Sequence, residues 1–302
     1  MSAKFAAIGM FDGVHTGHRH LWQQIKALCT AEGASSLAVT FRNHPLELIA
    51  PDKAPQYLCT LEERTALLRQ AGADDVLVLD FTPELRSLTA AEFTSMLARE
   101  HGVTDLVMGF NHSIGCDRVS TPQAYSEVSR LTGVRLHPAT EFNLPGNRSV
   151  SSSAIRRAIN EGDMTAASVM LGRPYSIGGT VCHGQQLGRT IGFPTANISG
   201  WPQRQIMPAP GVYALDITLP DKSLHRGMAN IGKRPTVETG DNAPLSVEVN
   251  IFDFDGNLYG EHLTLHFLKR LRTEQRFDSL DSLREQLQRD REASLSLSHL
   301  PT

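Results

Sequence analysis

The chain has 302 residues, a length that suggests two domains more than one. Its 40% hydrophobic and 20% charged residues are ordinary for a globular protein and exclude wholesale disorder or a coiled-coil rod. Lys and Arg total 29 against 32 Asp and Glu, a formal charge of −3, so the broad basic field of a dedicated nucleic-acid or anionic-membrane binder is missing.

Along the chain, short apolar runs at residues 5–10, 36–41, 75–81 and 105–109 predict strands. Between them, residues 17–32, 61–71 and 90–100 carry helical spacing, and residues 122–137 hold a further helix–strand pair. Strands that alternate with helices predict a parallel sheet with right-handed crossovers and with ligands at the carboxyl ends of its strands. Residues 151–171 turn helical until Gly172-Arg173-Pro174 stops them, which divides the chain into domains 1–172 and 173–302. Beyond this point residues 211–217, 246–252 and 262–267 alternate like half-buried strands among Gly, Pro, Asn and Asp, and predict a compact antiparallel barrel or sandwich. Leu280, Leu283 and Leu287 place a stripe on a final helix that closes it, and the last residues form a frayed tail. No apolar run approaches the roughly 20 residues needed to span a bilayer, and Asp12 interrupts the N-terminal stretch before a signal-peptide core develops. Cys29, Cys59, Cys116 and Cys182 form no CxxC pair and read as thiols of a reducing compartment, so the cytoplasm is expected.

Gly9-Met10-Phe11-Asp12-Gly13-Val14-His15-Thr16-Gly17-His18 follows the first strand directly. His15 and His18, three apart where a helix begins, can both face the free N–H groups and positive dipole of that end, which suits phosphate. Two surface histidines after a glycine turn are the alternative. At Ser151-Ser152-Ser153-Ala154-Ile155-Arg156, hydroxyls at a helix start followed by Arg make a triphosphate cradle, or a plain serine cap.

Residues 179–198 are the most specific stretch. Gly184, Gly188 and Gly192 let backbone approach a ligand, and Arg189 offers a fixed positive fork. Thr195 and Asn197 give two neutral oxygens one residue apart, a spacing that suits Mg²⁺ bound mainly through nucleotide phosphates. A Gly/Pro-rich barrel loop explains the glycines but not the full GRxxGFPTAN string. Alternation puts Val247, Val249 and Ile251 on one strand face and Glu248 on the other, where it is either a base for a hydroxyl or a solvated charge.

These blocks resemble the bacterial bifunctional riboflavin kinase/FAD synthetase family. The first matches the HxGH signature of nucleotidylyltransferases, and the likeness continues at Thr40-Phe41-Arg42-Asn43-His44-Pro45, at Gly109-Phe110-Asn111-His112-Ser113-Ile114-Gly115, and through residues 150–156. The PTAN motif, the segment after Glu248 and Leu271-Arg272-Thr273-Glu274-Gln275-Arg276-Phe277 resemble the kinase module. The resemblance implies an N-terminal Rossmann-like α/β adenylyltransferase domain and a C-terminal six-stranded antiparallel β-barrel of kinase type. Riboflavin and ATP would give FMN at the barrel; FMN and a second ATP would give FAD and pyrophosphate at the HxGH site. It assigns catalysis to Glu248, His15 and His18, and Mg²⁺ to Thr195 and Asn197. It assigns ligand contacts to Gly9, Phe11, Asp12, Asn111, Ser152, Ser153 and Arg156 in the first domain. In the second the contacts are His183, Gly184, Gly188, Arg189, Arg272 and Glu274. The implied partners are the small molecules ATP, riboflavin and FMN, with no nucleic acid and no membrane. Ser153 stands where Thr is usual, Ala154 where Arg is common, Ser113-Ile114 for a frequent Arg-Phe pair, and Asn250 for a common His. Two other readings are a kinase with a degenerate first domain and a non-catalytic flavin-binding regulator; intact Thr195, Asn197 and Glu248 argue against the second.

Overall fold

The computed structural model describes residues 3–110, 112–183, 192–233 and 245–298. The chain divides into two compact units, Met1–Ser151 and Ser152–Thr302.

In the first unit β1 (Lys4–Ile8), β2 (Ser35–Phe41), β3 (Asp75–Leu79), β4 (Asp105–Met108) and β5 (Arg135–Pro138) form one sheet. Its order is β3-β2-β1-β4-β5 and every pair is parallel. The connections hold α1 (Thr16–Glu32), α2 (Pro45–Ile49), α3 (Leu61–Gln70), α4 (Pro83–Ser87), α5 (Ala90–His101) and α6 (Pro122–Thr132). A small hairpin, β6 (Asn143–Leu144) and β7 (Arg148–Ser149), ends the unit. Successive side chains of β1 go to opposite faces, and both faces are covered. Phe5 and Ala7 pack with Trp22, Ile25 and Leu68, whereas Ala6 and Ile8 pack with Val39, Leu97 and Met108. Thr60, Thr82, Thr89 and Thr121 each accept a backbone N–H and start α3, α4, α5 and α6. The ladders end at Ile8, Leu79 and Met108, short of the expected residues 10, 81 and 109, because the chain there lifts into loops. Strand order reverses between β1 and β4, so a crevice opens at their carboxyl ends.

The second unit begins with α7 (Ser152–Glu161) and α8 (Met164–Leu171), two helices where one continuous helical stretch was expected. Gly162, at φ 79°, ends the first, and Asp163 caps the second by accepting from the Ala166 N–H. Six antiparallel strands follow: β8 (Tyr175–Cys182), β9 (Ala196–Ser199), β10 (Gly211–Thr218), β11 (Leu224–Lys233), β12 (Leu245–Ile251) and β13 (His262–Arg272). They close into a barrel of order β10-β11-β12-β9-β8-β13. Val181, Ile198, Val247, Val249 and Leu265 are among its buried residues. A Cβ at Gly179 would lie 2.4 Å from Ile198 Cγ2, and one at Gly227 would lie 2.4 Å from the Asn250 carbonyl oxygen. These strands need glycine for close approach, which hides β8 and β11 from a reading based on alternation.

The closing helix, α9 (Leu280–Leu295), forms as expected, but its leucine stripe is only partly covered: Leu283 and Leu287 are half-buried and Leu280 is 68% exposed. Buried Asp290 and Ser294 face the barrel. Arg272 Nε donates to Asp290 Oδ2 at 2.9 Å; Arg226 binds Asp216 at 2.7 Å and donates to the Ser294 and Leu297 carbonyls. The four cysteines form no disulfide. Residues 299–302, within the expected frayed tail, lie outside the described residues.

A buried charge pins the amino end of β4. Asp105 is fully buried; it accepts from Thr104 Oγ1 at 2.8 Å and Arg135 Nε at 2.7 Å, and lies 2.6 Å from His137 Nε2. Burial alone raises the Asp105 carboxyl, but the hydrogen bonds from His137, Arg135 and Thr104 and the Arg135 charge outweigh it and hold the pKa below the usual carboxylate range. A depressed folded-state pKa makes this stabilisation fully present above about pH 5 and lost as pH falls through the folded value. Asp105→Asn is expected to lower the unfolding free energy by roughly 1–3 kcal/mol near neutrality, and by much less in acid. Urea titrations at the two pH values check this; an equal loss at both assigns the effect to packing alone.

Candidate functional site

Between β1 and α1 the backbone turns through left-handed conformations at Phe11 (φ 47°), Gly13 (φ 76°) and Val14 (φ 38°), costly for Phe and more so for β-branched Val. Buried groups hold the turn. Asp12, 2% exposed, accepts the Leu58 N–H on both carboxylate oxygens at 3.0 and 3.1 Å. The Gly13 N–H donates to Cys59 Sγ at 3.2 Å. The Met10 carbonyl accepts from Thr40 Oγ1 and from buried Arg64 Nη1, while Arg64 Nη2 donates to the Phe41 carbonyl at 2.7 Å.

This turn delivers His15 as the cap of α1, its Nδ1 accepting the His18 N–H at 3.4 Å. The His15 and His18 rings stack at 3.6 Å with 16° between planes, and the Phe11 ring meets His18 edge-on at 5.2 Å. Glycine leaves room under the stack, because a Cβ at Gly17 would lie 3.2 Å from His15 Cε1 and press on the ring. Gly9 plays the same part beneath Phe11. His18 Nδ1 is buried with no hydrogen-bond partner among the described residues. Burial first, and the adjacent His15 second, hold His18 well below its ordinary pKa of 6.5.

The two rings form one wall of a cleft of about 240 Å³ that also meets Phe110, His112, Glu141 and Phe142. A second, more apolar cleft of about 380 Å³ is lined by Phe41, Phe81, Phe93 and Ile114, with Arg86 and Arg118 among its walls. His112 borders both clefts, and sequence reasoning did not single it out. Gly9, Phe11, Asp12, His15 and His18 thus come together in the first unit. Ser152, Ser153 and Arg156 lie in the opening turns of α7, in the second unit, and Asn111 lies outside the described residues.

On the barrel, antiparallel register sets Asn197 of β9 opposite Glu248 of β12, and Glu248 opposite Asn230 of β11. Partners in register project to the same face, so the three form a polar row across three strands. Val247 pairs with Ile198 and Val249 with Ala196 on the other face, toward the core. Asn230 Nδ2 donates to Glu274 Oε1 at 3.2 Å; glycine at 232 makes room, since a Cβ there would lie 2.2 Å from that oxygen. Asn250 Nδ2 donates to the Pro194 carbonyl at 2.6 Å and steadies the segment that leads to Thr195. Asn230 and Asn250 are the contributors that the motif reading undervalued, because their roles follow from register. A cavity of about 360 Å³ beside Thr195 is lined by Val181, Val249, Phe254, Leu258 and Tyr259. The His183 ring stacks on Tyr259 at 4.0 Å. Arg272 is engaged with Asp290 and lies 5.6 Å from the Phe277 ring centroid. Gly184, Gly188 and Arg189 lie outside the described residues.

Comparison with known proteins agrees with this two-part plan. A family model for FAD synthetase matches residues 1–154, and one for riboflavin kinase matches residues 171–297. A bifunctional riboflavin kinase/FMN adenylyltransferase of Escherichia coli K12 is 39% identical over 285 residues, covering 94% of this chain and 89% of that protein. The Bacillus subtilis protein of the same name is 34% identical over 290 residues, covering 96% and 90%. A crystal structure described as a macrolide-efflux protein from Streptococcus pneumoniae superimposes with a TM-score of 0.88 at 32% identity, covering 98% and 95%. Among the described residues of this chain, no helix is long and apolar enough to cross a membrane.

The histidine stack has a direct spectroscopic consequence. His18 is expected to stay neutral at pH 6 in an imidazole nitrogen NMR titration. Because burial outweighs the charge repulsion from His15, His15→Ala should raise the His18 pKa only part of the way to 6.5. An ordinary His18 titration in the parent protein contradicts the buried stack.

Proposed function

The chain belongs to the bifunctional riboflavin kinase/FMN adenylyltransferase family, and from that premise we propose how its residues divide the two reactions. The enzyme is an ATP-dependent transferase: riboflavin and ATP give FMN and ADP, and FMN and ATP give FAD and pyrophosphate. The adenylyltransferase precedes the kinase in the chain. We place the functional boundary at residue 172, so that α7 and α8, which pack within the second unit, count with the adenylyltransferase through Ser152, Ser153 and Arg156. We place the enzyme in the cytoplasm, where both reactions draw on ATP.

In the first reaction an oxygen of the FMN phosphate attacks the α-phosphorus of ATP, and the bond to pyrophosphate breaks. The nucleophile is already anionic, so the site has to position it and neutralise charge that shifts during transfer. His15 Nδ1 accepts a hydrogen bond, so its neutral form carries the proton on Nε2 and can donate it to a phosphate oxygen. The start of α1 adds its dipole, and Ser152, Ser153, Arg156 and Asn111 are assigned to the ATP phosphates. Asp12, Gly9 and Phe11 act by holding the histidines. We place the flavin rings in the apolar cleft, among Phe41, Phe81 and Phe93. Ser113 and Ile114 line that cleft, so their departure from the family pattern bears on flavin contact and not on phosphate chemistry.

In the second reaction Glu248 takes the proton of the ribityl 5′-hydroxyl as that oxygen attacks the γ-phosphorus of ATP, and ADP leaves. The observation that carries this assignment is the register that sets Glu248 against Asn197 on one face. The Thr195 hydroxyl and Asn197 amide oxygen are hard, neutral donors that leave most of a coordination shell to water and phosphate, as Mg²⁺ prefers. Bound there, Mg²⁺ would offset phosphate charge. We place the nucleotide in the cavity beside Thr195, near His183, and assign Gly184, Gly188 and Arg189 to its phosphates. Glu274 and Arg272 belong to the flavin side, Arg272 acting by tying its strand to α9.

Chromatography of the products from riboflavin, ATP and Mg²⁺ tests the division. FMN should rise before FAD. Glu248→Gln should slow FMN formation roughly 10²–10⁴-fold while FAD formation from supplied FMN survives. The double change His15→Ala with His18→Ala should do the reverse, with FAD formation falling by about two orders of magnitude or more. Kinase turnover within about twofold of the parent in Glu248→Gln removes Glu248 from the mechanism.

A further inference from the structure

His112 forms a wall shared by the two clefts of the first unit. On one side lie His15 and His18; on the other lie Phe41, Phe81 and Ile114. It follows β4 at the point where strand order reverses, and its backbone N–H donates to the Gly109 carbonyl at 3.0 Å, which fixes the turn. Among the described residues nothing is hydrogen-bonded to its ring. Burial lowers its pKa, so the ring is neutral near pH 7, with one nitrogen that donates and one that accepts.

We propose that His112 hydrogen-bonds the polyhydroxyl linker of FMN and so sets how far the FMN phosphate reaches toward His15 and His18. The proposal rests on the placement of FMN given above: rings in the apolar cleft, phosphate in the histidine cleft. A molecule laid across both must pass its linker along the wall that the clefts share. A hydroxyl both gives and takes a hydrogen bond, and a neutral imidazole answers both demands; Ser113, Arg86 and Arg118 are polar too, but they line the apolar cleft alone, whereas His112 lines both clefts. His112 is thereby a substrate-positioning contact, separate from the pair that meets the phosphate.

The test measures FAD formation from supplied FMN and ATP for the parent, His112→Phe and His112→Gln. It is repeated with an FMN analogue whose linker hydroxyls are replaced by hydrogen and whose 5′-phosphate is kept. His112→Phe should raise KM for FMN about tenfold, the order of one net hydrogen bond. KM for ATP and the kinase turnover should not change, and His112→Gln should recover most of the loss. The parent should lose about tenfold in kcat/KM with the analogue, and His112→Phe should lose nothing further, because the same bond cannot be removed twice. Independent, additive losses overturn the proposal, as does a KM for FMN within twofold of the parent in His112→Phe. A parent that treats FMN and the analogue alike overturns it without any variant, so the test survives a substitution that fails to fold. A parent that makes no FAD from FMN overturns the reading of the first unit and the proposal with it.

Discussion

The adenylyltransferase unit depends on a backbone that leaves β1 along a left-handed path and is held there. Positive φ at Phe11 and Val14 costs on the order of 1–3 kcal/mol each, and such a turn persists only where its surroundings over-determine it. Here they do. The Asp12 carboxylate is tied to the Leu58 N–H, the Gly13 N–H to Cys59, and the Met10 carbonyl to both Thr40 and Arg64. The start of α1 is thereby set, and with it the height of two stacked imidazoles above the end of the sheet. Chemistry at phosphorus tolerates little error in position, so under the role proposed for His15 and His18 rigidity in the turn would serve the reaction directly.

The kinase unit reaches precision by another route. A closed barrel leaves each strand no freedom to slip, because a shift of one residue would send Ile198, Val247 and Val249 outward and Asn197 and Glu248 into the core. Burial of the apolar face therefore also aligns the polar row. Charge-assisted contacts do the remaining work outside, where Arg226 and Arg272 hold α9 against β11 and β13.

The parallel sheet was legible in the sequence because its strands are buried on both faces and read as apolar runs between helical segments. Both histidines and the Thr195–Asn197 pair were legible because their spacing is local. The strands β8 and β11 were not, since glycines at 178, 179, 227 and 232 replace the large residues that mark alternation. The fastening of α9 is legible only in part: Leu283 and Leu287 of the stripe are half-buried, but the polar contacts of Arg226 and Arg272 leave no mark on the periodicity. Nothing in the sequence sets His112 apart from its neighbours, because its place between two clefts arises from strand order and not from local spacing.

Arg226 spends two of its contacts on main-chain carbonyls, those of Ser294 and Leu297. This latch recognises the path of the chain and takes no notice of side chains. Replacement of Leu297 leaves its carbonyl available, whereas one inserted residue earlier in α9 would rotate everything after it by about 100° about the helix axis and turn both oxygens away. The last turns of α9 can thus drift in composition far more freely than in length, and a single-codon insertion or deletion there is a graver event than many substitutions.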